Sequence, residues 1–196
     1  MNKLMGFYEL AEMDVPSVPW KEYTGQELFD PGSLWTIRSA VFRGNDFNLP
    51  RLVGVTAEEA KVFADALYFK MKNRGMVIYY PYFLANKSGT LNVFNDRIII
   101  EAVKEDLWNL VTNSDREVTI DIRQGETNFN GNRNFLSEKE LQCVVSNVSA
   151  VKKAFRNEML EGKSVLLEWS LAQKSDLFKC PIGEEFLVFY EARTID

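Results

Sequence analysis

Apolar residues recur along this chain at two periods, and the changes of period divide it into elements. In NKLMGFYELAEM the spacing of Leu4, Phe7, Tyr8, Leu10 and Ala11 is helical, and Pro16 and Pro19 mark where the helix has ended. LWTIRSAV reads as a short strand, followed by a polar loop, FRGNDFNLP, that contains Gly44, Asn45 and Asp46. TAEEAKVFADALYFKMKNRG gives the clearest helical pattern. Thr56 and Glu59 form a capping box, apolar positions recur every three or four residues, and Gly75 suits the C-terminal end. MVIYYPYFL reads as a buried strand, ANKSG as a turn, and TLNVF, RIIIEAV and EVTIDIR as three further strands. GETNFNGNRNF reads as a polar loop. Ser137 with Glu140 caps a second long helix running to about Gly162, with Leu141, Val144, Val145, Val148, Val151 and Phe155 on its buried stripe. Two strands then close the chain. The pattern predicts an α+β fold with two long helices and mainly antiparallel sheets.

The closing strands, SVLLEWSL and EEFLVFYEAR, interrupt their apolar pattern with Glu168, Glu191 and Arg193. Alternation places Val165, Leu167, Trp169 and Leu171 on one face, and Leu166, Glu168 and Ser170 on the other. On the last strand it places Leu187, Phe189, Glu191 and Arg193 together. A hairpin centred between Lys179 and Cys180 sets Glu168 opposite Glu191, where like charges repel unless a cation intervenes. Two hard oxygen donors with room for water and phosphate describe a Mg²⁺ site, with Arg193 placed to clamp a phosphate. The same spacing also describes a solvated, salt-bridged sheet face.

Composition narrows the chemistry. The chain has 196 residues, enough for one domain or two small lobes, and its hydrophobic fraction of 46% argues against disorder. A net charge of −5 disfavours nucleic acid as a partner. No apolar run approaches the roughly 20 residues of a spanning helix, and the N-terminus lacks a signal peptide's apolar core, so no membrane partner and a cytoplasmic location are expected. Cys143 and Cys180 lie far apart without metal-binding spacing. The chain contains no histidine, which excludes a histidine base, a histidine metal ligand and a phosphohistidine within it.

Six segments, in order, resemble the ATP-binding domain of phosphoenolpyruvate synthase and pyruvate phosphate dikinase. LLEWSL and EEFLVFYEARTI resemble that family's closing D-I-E-W and Y-x-L-Q-x-R-P strands. NKLMGFYELAEMDVPSVP resembles its opening G-G-K-G-x-x-L-x-E-L, and WTIRSAVFRGNDFNLPRLVGV resembles V-R-S-S-A followed by the loop over the phosphates. VIYYPYFLANKSGTL resembles V-V-Q-x-M-V…S-G-V, and IIIEAVKEDLWNLV resembles I-E-A-x-x-G-L-G-E-x-V-V. The Gly-rich opening is shortened here, and the family's aspartate and glutamine are replaced by Leu166 and Glu191. One carboxylate is thus lost and another gained on the neighbouring strand.

The resemblance implies an ATP-grasp-like fold with two small lobes, 1–75 and 76–196, around a nucleotide cleft. It implies ATP and Mg²⁺ as cofactors. Lys3, Arg38 and Arg193 would contact phosphate and act in catalysis, and Tyr80, Tyr82 and Phe83 would form the adenine hinge. Asp46 and Glu101 would lie in the nucleotide site, and Glu168 and Glu191 would hold the metal. The implied activity is phosphoryl transfer from ATP to a small molecule or to a separate phosphohistidine (swivelling) domain. The alternative is a degenerate nucleotide-binding or protein-interaction module.

Overall fold

A computed structural model describes residues 3–43, 49–107, 110 and 116–195, without the side chains of Lys3 and Leu4. Helix α1 (Lys3–Glu12) is followed by strands β1 (Lys21–Glu22), β2 (Trp35–Val41) and β3 (Arg51–Val55). Helix α2 (Ala57–Met71) leads into β4 (Gly75–Pro81), and these four strands form one sheet in the order β1-β4-β2-β3. The Thr56–Glu59 capping box forms as the sequence predicts, satisfying N-terminal backbone donors of α2. The same helix buries Ala60, Ala64, Leu67 and Met71 against Ile37, Val41 and Val77 on one face of the sheet.

A single residue, Tyr82, separates β4 from β5 (Phe83–Val93), and the chain changes sheets there. The Tyr82 amide donates to the Leu34 carbonyl at 2.8 Å, which ties the crossing point to the first sheet. The second sheet adds β6 (Arg97–Lys104), β7 (Val118–Arg123), β8 (Glu126–Gly131), β9 (Ser164–Ser175) and β10 (Pro181–Ile195), in the order β10-β9-β5-β6-β7-β8. Both sheets are antiparallel throughout. Helices α3 (Glu138–Val145), α4 (Val148–Ala154) and α5 (Arg156–Leu160) belong to the main core, contributing Val144, Val151 and Met159. Leu91, Ile100, Val165, Leu167 and Trp169 line that core from the sheet, as the alternation of β9 predicts. The opposite face of the second sheet meets the first, through Ala172 and Val188 on one side and Ala40, Met76, Ile78 and Tyr80 on the other.

The predicted second long helix is divided in three. Ser146 Oγ and Asn147 Nδ2 both donate to the Cys143 carbonyl, so side chains take over backbone bonds where a continuous helix would run. The predicted ANKSG turn is instead part of β5, which absorbs one extra residue as a bulge at Asn86. The polar loop GETNFNGNRNF begins as an edge strand, β8, whose exposed Thr and Asn side chains carry no apolar alternation.

The closing hairpin pairs Glu168 with Glu191 as the sequence predicts, but by a different route. A second irregularity falls at Tyr190, so Phe189 pairs with Trp169 and points into the core while Glu191 and Arg193 occupy the other face. Alternation alone put all four of Leu187, Phe189, Glu191 and Arg193 on one face; the bulge at Tyr190 separates them. The outer edge of β10 is covered at this point. Val18 donates to the Phe189 carbonyl, and the Phe189 amide donates to Pro16. Close by, α1 lies so near β10 that a Cβ on Gly6 would overlap the Ala192 carbonyl.

Candidate functional site

The space between the two sheets holds four charged side chains drawn from three strands. Arg38 projects from the middle of β2, Glu168 from β9, and Glu191 and Arg193 from β10. Arg38 Nη2 donates to Glu191 Oε2 at 3.1 Å, and Arg193 Nη2 donates to Glu168 Oε1 at 3.0 Å. Arg193 also lies 3.6 Å from the other oxygen of Glu191. Glu191 is only 2% exposed and Glu168 13%. The repulsion between opposed glutamates, which the sequence left to a metal ion or to solvent, is offset here by two guanidinium groups.

Burial works against the Arg38 charge, but Tyr80, Glu191 and Glu168 outweigh it and hold the guanidinium protonated above its ordinary range. Phe7 of α1 closes one side, its ring 5.5 Å from the Arg38 guanidinium. Trp20 Nε1 donates to the Phe7 carbonyl at 3.1 Å, which fixes that residue in place.

Toward the point where the chain changes sheets, the lining becomes aromatic. Tyr80 is buried and stacks with Phe83 at a ring-centroid distance of 6.4 Å, and Phe83 meets Tyr190 at 6.1 Å. Tyr82 packs against Gly54, as does the stem of Lys179 from the β9–β10 turn. Thus Tyr80, Tyr82 and Phe83 are gathered where β4 becomes β5, at one end of the inter-sheet space.

Glu101 belongs to the same row across the second sheet, since Glu191 pairs with Glu168, Glu168 with Thr90, and Thr90 with Glu101. It stands two strands from Glu168, about 10 Å away by strand spacing, and is bound by Arg116 at 2.6 Å. Lys3 is the first residue of α1, and its side chain lies outside the described atoms; Asp46 lies outside the described residues.

Tyr190 joins the site on the face of Val188, and the bulge brings Glu191 and Arg193 to that same face beside it. Burial, then the nearby Glu168 carboxylate, push its phenol well above the ordinary tyrosine range, although a hydrogen bond with Ser170 opposes the shift. Ser170 in turn shares a buried hydrogen bond of 2.8 Å with Ser88 on β5.

Glu168 and Glu191 supply the donor type that Mg²⁺ prefers. Among the described residues no group of three or more histidine, cysteine, aspartate or glutamate side chains is arranged to hold a metal ion. A metal at this point would therefore share two protein carboxylates with phosphate and water. It would fit only if the arginines turned from the carboxylates to phosphate oxygens.

No protein-family model and no curated protein matches this sequence. Solved structures do match it. The chain is similar to N5-carboxyaminoimidazole synthetase from Staphylococcus aureus in complex with ADP, with a TM-score of 0.54 and 12% identity over 97% of this chain and 43% of that one. It is similar to an L-amino acid ligase from Bacillus licheniformis (TM-score 0.52, 12% identity, 97% of this chain and 39% of that one). It is also similar to D-alanine–D-alanine ligase from Bacillus anthracis (TM-score 0.51, 12% identity, 99% of this chain and 56% of that one). The fold is ATP-grasp-like. At these identities the likeness is one of fold, and this chain spans 39% to 56% of the length of those proteins. The ATP-grasp-like architecture expected from the sequence resemblance is thus present, whereas membership of the phosphoenolpyruvate synthase family rests on the short motifs alone. No described helix is long and apolar enough to cross a membrane.

Proposed function

We propose that the space between the sheets binds ATP with Mg²⁺ and that the chain directs a phosphoryl group to an acceptor held outside it. The observation that carries this reading is the meeting of Arg38, Glu168, Glu191 and Arg193 between the sheets, with an aromatic cluster at one end. The four charges sum to zero and are paired with one another. Entry of a nucleotide and a divalent cation replaces like with like: the arginines exchange carboxylate for phosphate oxygens, and the glutamates exchange guanidinium for the cation. Each of the four buried side-chain charges keeps a counter-charge through the exchange, which limits its desolvation cost.

In this reading Tyr80, Tyr82 and Phe83 hold the base. Arg38 and Arg193, with Lys3, neutralise phosphate oxygens, while Asp46 and Glu101 complete the nucleotide site. Glu168 and Glu191 would hold Mg²⁺, which supplies charge neutralisation at the transferred phosphate. Catalysis is then a matter of position and electrostatics, as phosphoryl transfer requires. The similarity to two amino acid ligases favours a small-molecule acceptor. The sequence motifs favour a phosphohistidine domain on a partner chain, since this chain has no histidine.

Product analysis separates these acceptors: ADP accompanies a ligase-type activation, and AMP with phosphate accompanies dikinase-type transfer. Binding is read from thermal unfolding. Saturation at about a hundred times Kd stabilises by about 2.7 kcal/mol, which for a chain of this size is a rise in Tm of roughly 5–10 °C. The depth at which Arg38 and Glu191 are buried favours a second reading, in which the quartet is a structural tie in a module without chemistry. Absence of any nucleotide-dependent shift, with or without Mg²⁺, would establish that second reading instead.

A further inference from the structure

Helix α2 turns Ala60, Ala64, Leu67 and Met71 toward the first sheet, so helical periodicity turns Glu58, Val62, Asp65, Ala66 and Phe69 outward. That outward face is apolar in its middle, with Val62 67% and Phe69 76% exposed and Ala66 exposed between them. Its two ends carry opposite charge. Glu58 lies in the first turn, and Lys70 and Lys72 lie at and just beyond the C-terminus, while Asp65 near the middle is bonded to Lys61 and Tyr23. Among the described residues, Glu58, Lys70 and Lys72 take part in no ion pair.

We propose that this face joins two copies of the chain, with the α2 helices packed antiparallel about a twofold axis near Ala66. Reversal of direction sets Val62 of one copy against Phe69 of the other, and the acidic end of each helix against the basic end of its mate. The face is therefore self-complementary, as an isologous contact requires. A parallel arrangement would oppose lysine to lysine and glutamate to glutamate. Antiparallel helix dipoles add to the preference.

The loop carrying exposed Leu28 lies beside the helix, because Gly25 packs against the Tyr68 ring, and it widens the apolar area. A fifteen-residue helix is about 22 Å long. The pair buries less than the roughly 800 Å² per partner of a standard interface, so the dimer is weak and its population depends on concentration. Because α2 covers the face of the first sheet that points away from the inter-sheet space, both of those spaces stay open in the dimer.

Sedimentation equilibrium across micromolar to submillimolar concentration tests the proposal. The wild-type mass should rise from monomer toward dimer. Phe69→Glu should weaken association about tenfold or more at unchanged Tm, since the side chain is exposed. Lys70→Glu/Lys72→Glu and Glu58→Lys should each weaken it, and an equimolar mixture of those two variants should associate as wild type does, because the charges are then complementary at both ends. With Cys143→Ser and Cys180→Ser as background, Ala66→Cys should form a disulfide-linked dimer on oxidation. A wild type that stays monomeric throughout overturns the proposal. So does a dimer indifferent to Phe69→Glu, a mixture no tighter than its components, or an Ala66→Cys protein that dimerises without cross-linking.

Discussion

Replacing Glu191 by alanine should cost far more than loss of a surface ion pair. The carboxylate is 2% exposed, accepts from Arg38 at 3.1 Å and lies 3.6 Å from Arg193. Its removal leaves the Arg38 guanidinium between the sheets without its nearest counter-charge. Breaking a buried pair in this way costs about 3–5 kcal/mol. Glu168 still acts on Arg38 and remains bonded to Arg193, which places Glu191→Ala near the lower end, about 3 kcal/mol. For a chain of this size that lowers Tm by roughly 6–12 °C. Replacing both partners with apolar side chains, Arg38→Met with Glu191→Leu, removes the unpaired charge and should return stability to within about 1 kcal/mol of wild type. Denaturant unfolding of the wild type, Arg38→Met, Glu191→Leu and the double variant measures the coupling directly. A cost below about 0.5 kcal/mol for Glu191→Ala, the value of an exposed pair, would refute the burial argument. A double variant no more stable than the worse single one would refute the coupling.

Gly89→Ala should be strongly destabilising, because a Cβ there would lie 2.6 Å from Trp169 Cζ2; a loss of less than about 1 kcal/mol in denaturant unfolding would contradict the packing. Burial alone would raise the Glu140 carboxyl, but Lys87 and the Ser137 backbone and hydroxyl hold it below its ordinary value of 4.5. Because its folded pKa is depressed, it contributes stability above about pH 4.5 that is lost as pH falls through the folded value. Glu140→Gln should therefore flatten the acid limb of a stability–pH curve, and an unchanged limb would count against the Lys87 bond. Tyr190 is the opposite case. Its raised phenol contributes stability that is complete below pH 10 and is lost as pH climbs toward the folded value, so Tyr190→Phe should make the alkaline limb less steep.

The sequence showed most where a local rule sufficed. Both capping boxes formed, Thr56 with Glu59 and Ser137 with Glu140, because each depends on four neighbouring residues. The core face of β9 followed from alternation alone. The opposition of Glu168 and Glu191 was legible from loop length, yet the face they share was not, since it depends on the bulge at Tyr190, which the alternation of the strand does not reveal. The break after α3 was hidden because Val148, Val151 and Phe155 keep helical spacing across it, while Ser146 and Asn147 interrupt the backbone ladder. Arg38 was identified from a motif, but its partner was not: Glu191 lies 153 residues away on the other sheet. No local pattern encodes a contact of that span. For the same reason the sequence offered a metal where the structure supplies arginine.

The central claim is that the charged space between the sheets takes up Mg-ATP. Isothermal titration of Mg-ATP into the wild type and into the Arg38→Met/Glu191→Leu double variant tests it most directly, because the double variant should keep the fold while losing one phosphate-binding arginine and one metal-binding carboxylate of the four charged groups. Saturable, Mg²⁺-dependent heat is expected for the wild type and none for the variant. Equal heats in both proteins, or no heat in the wild type at any nucleotide concentration, would contradict it.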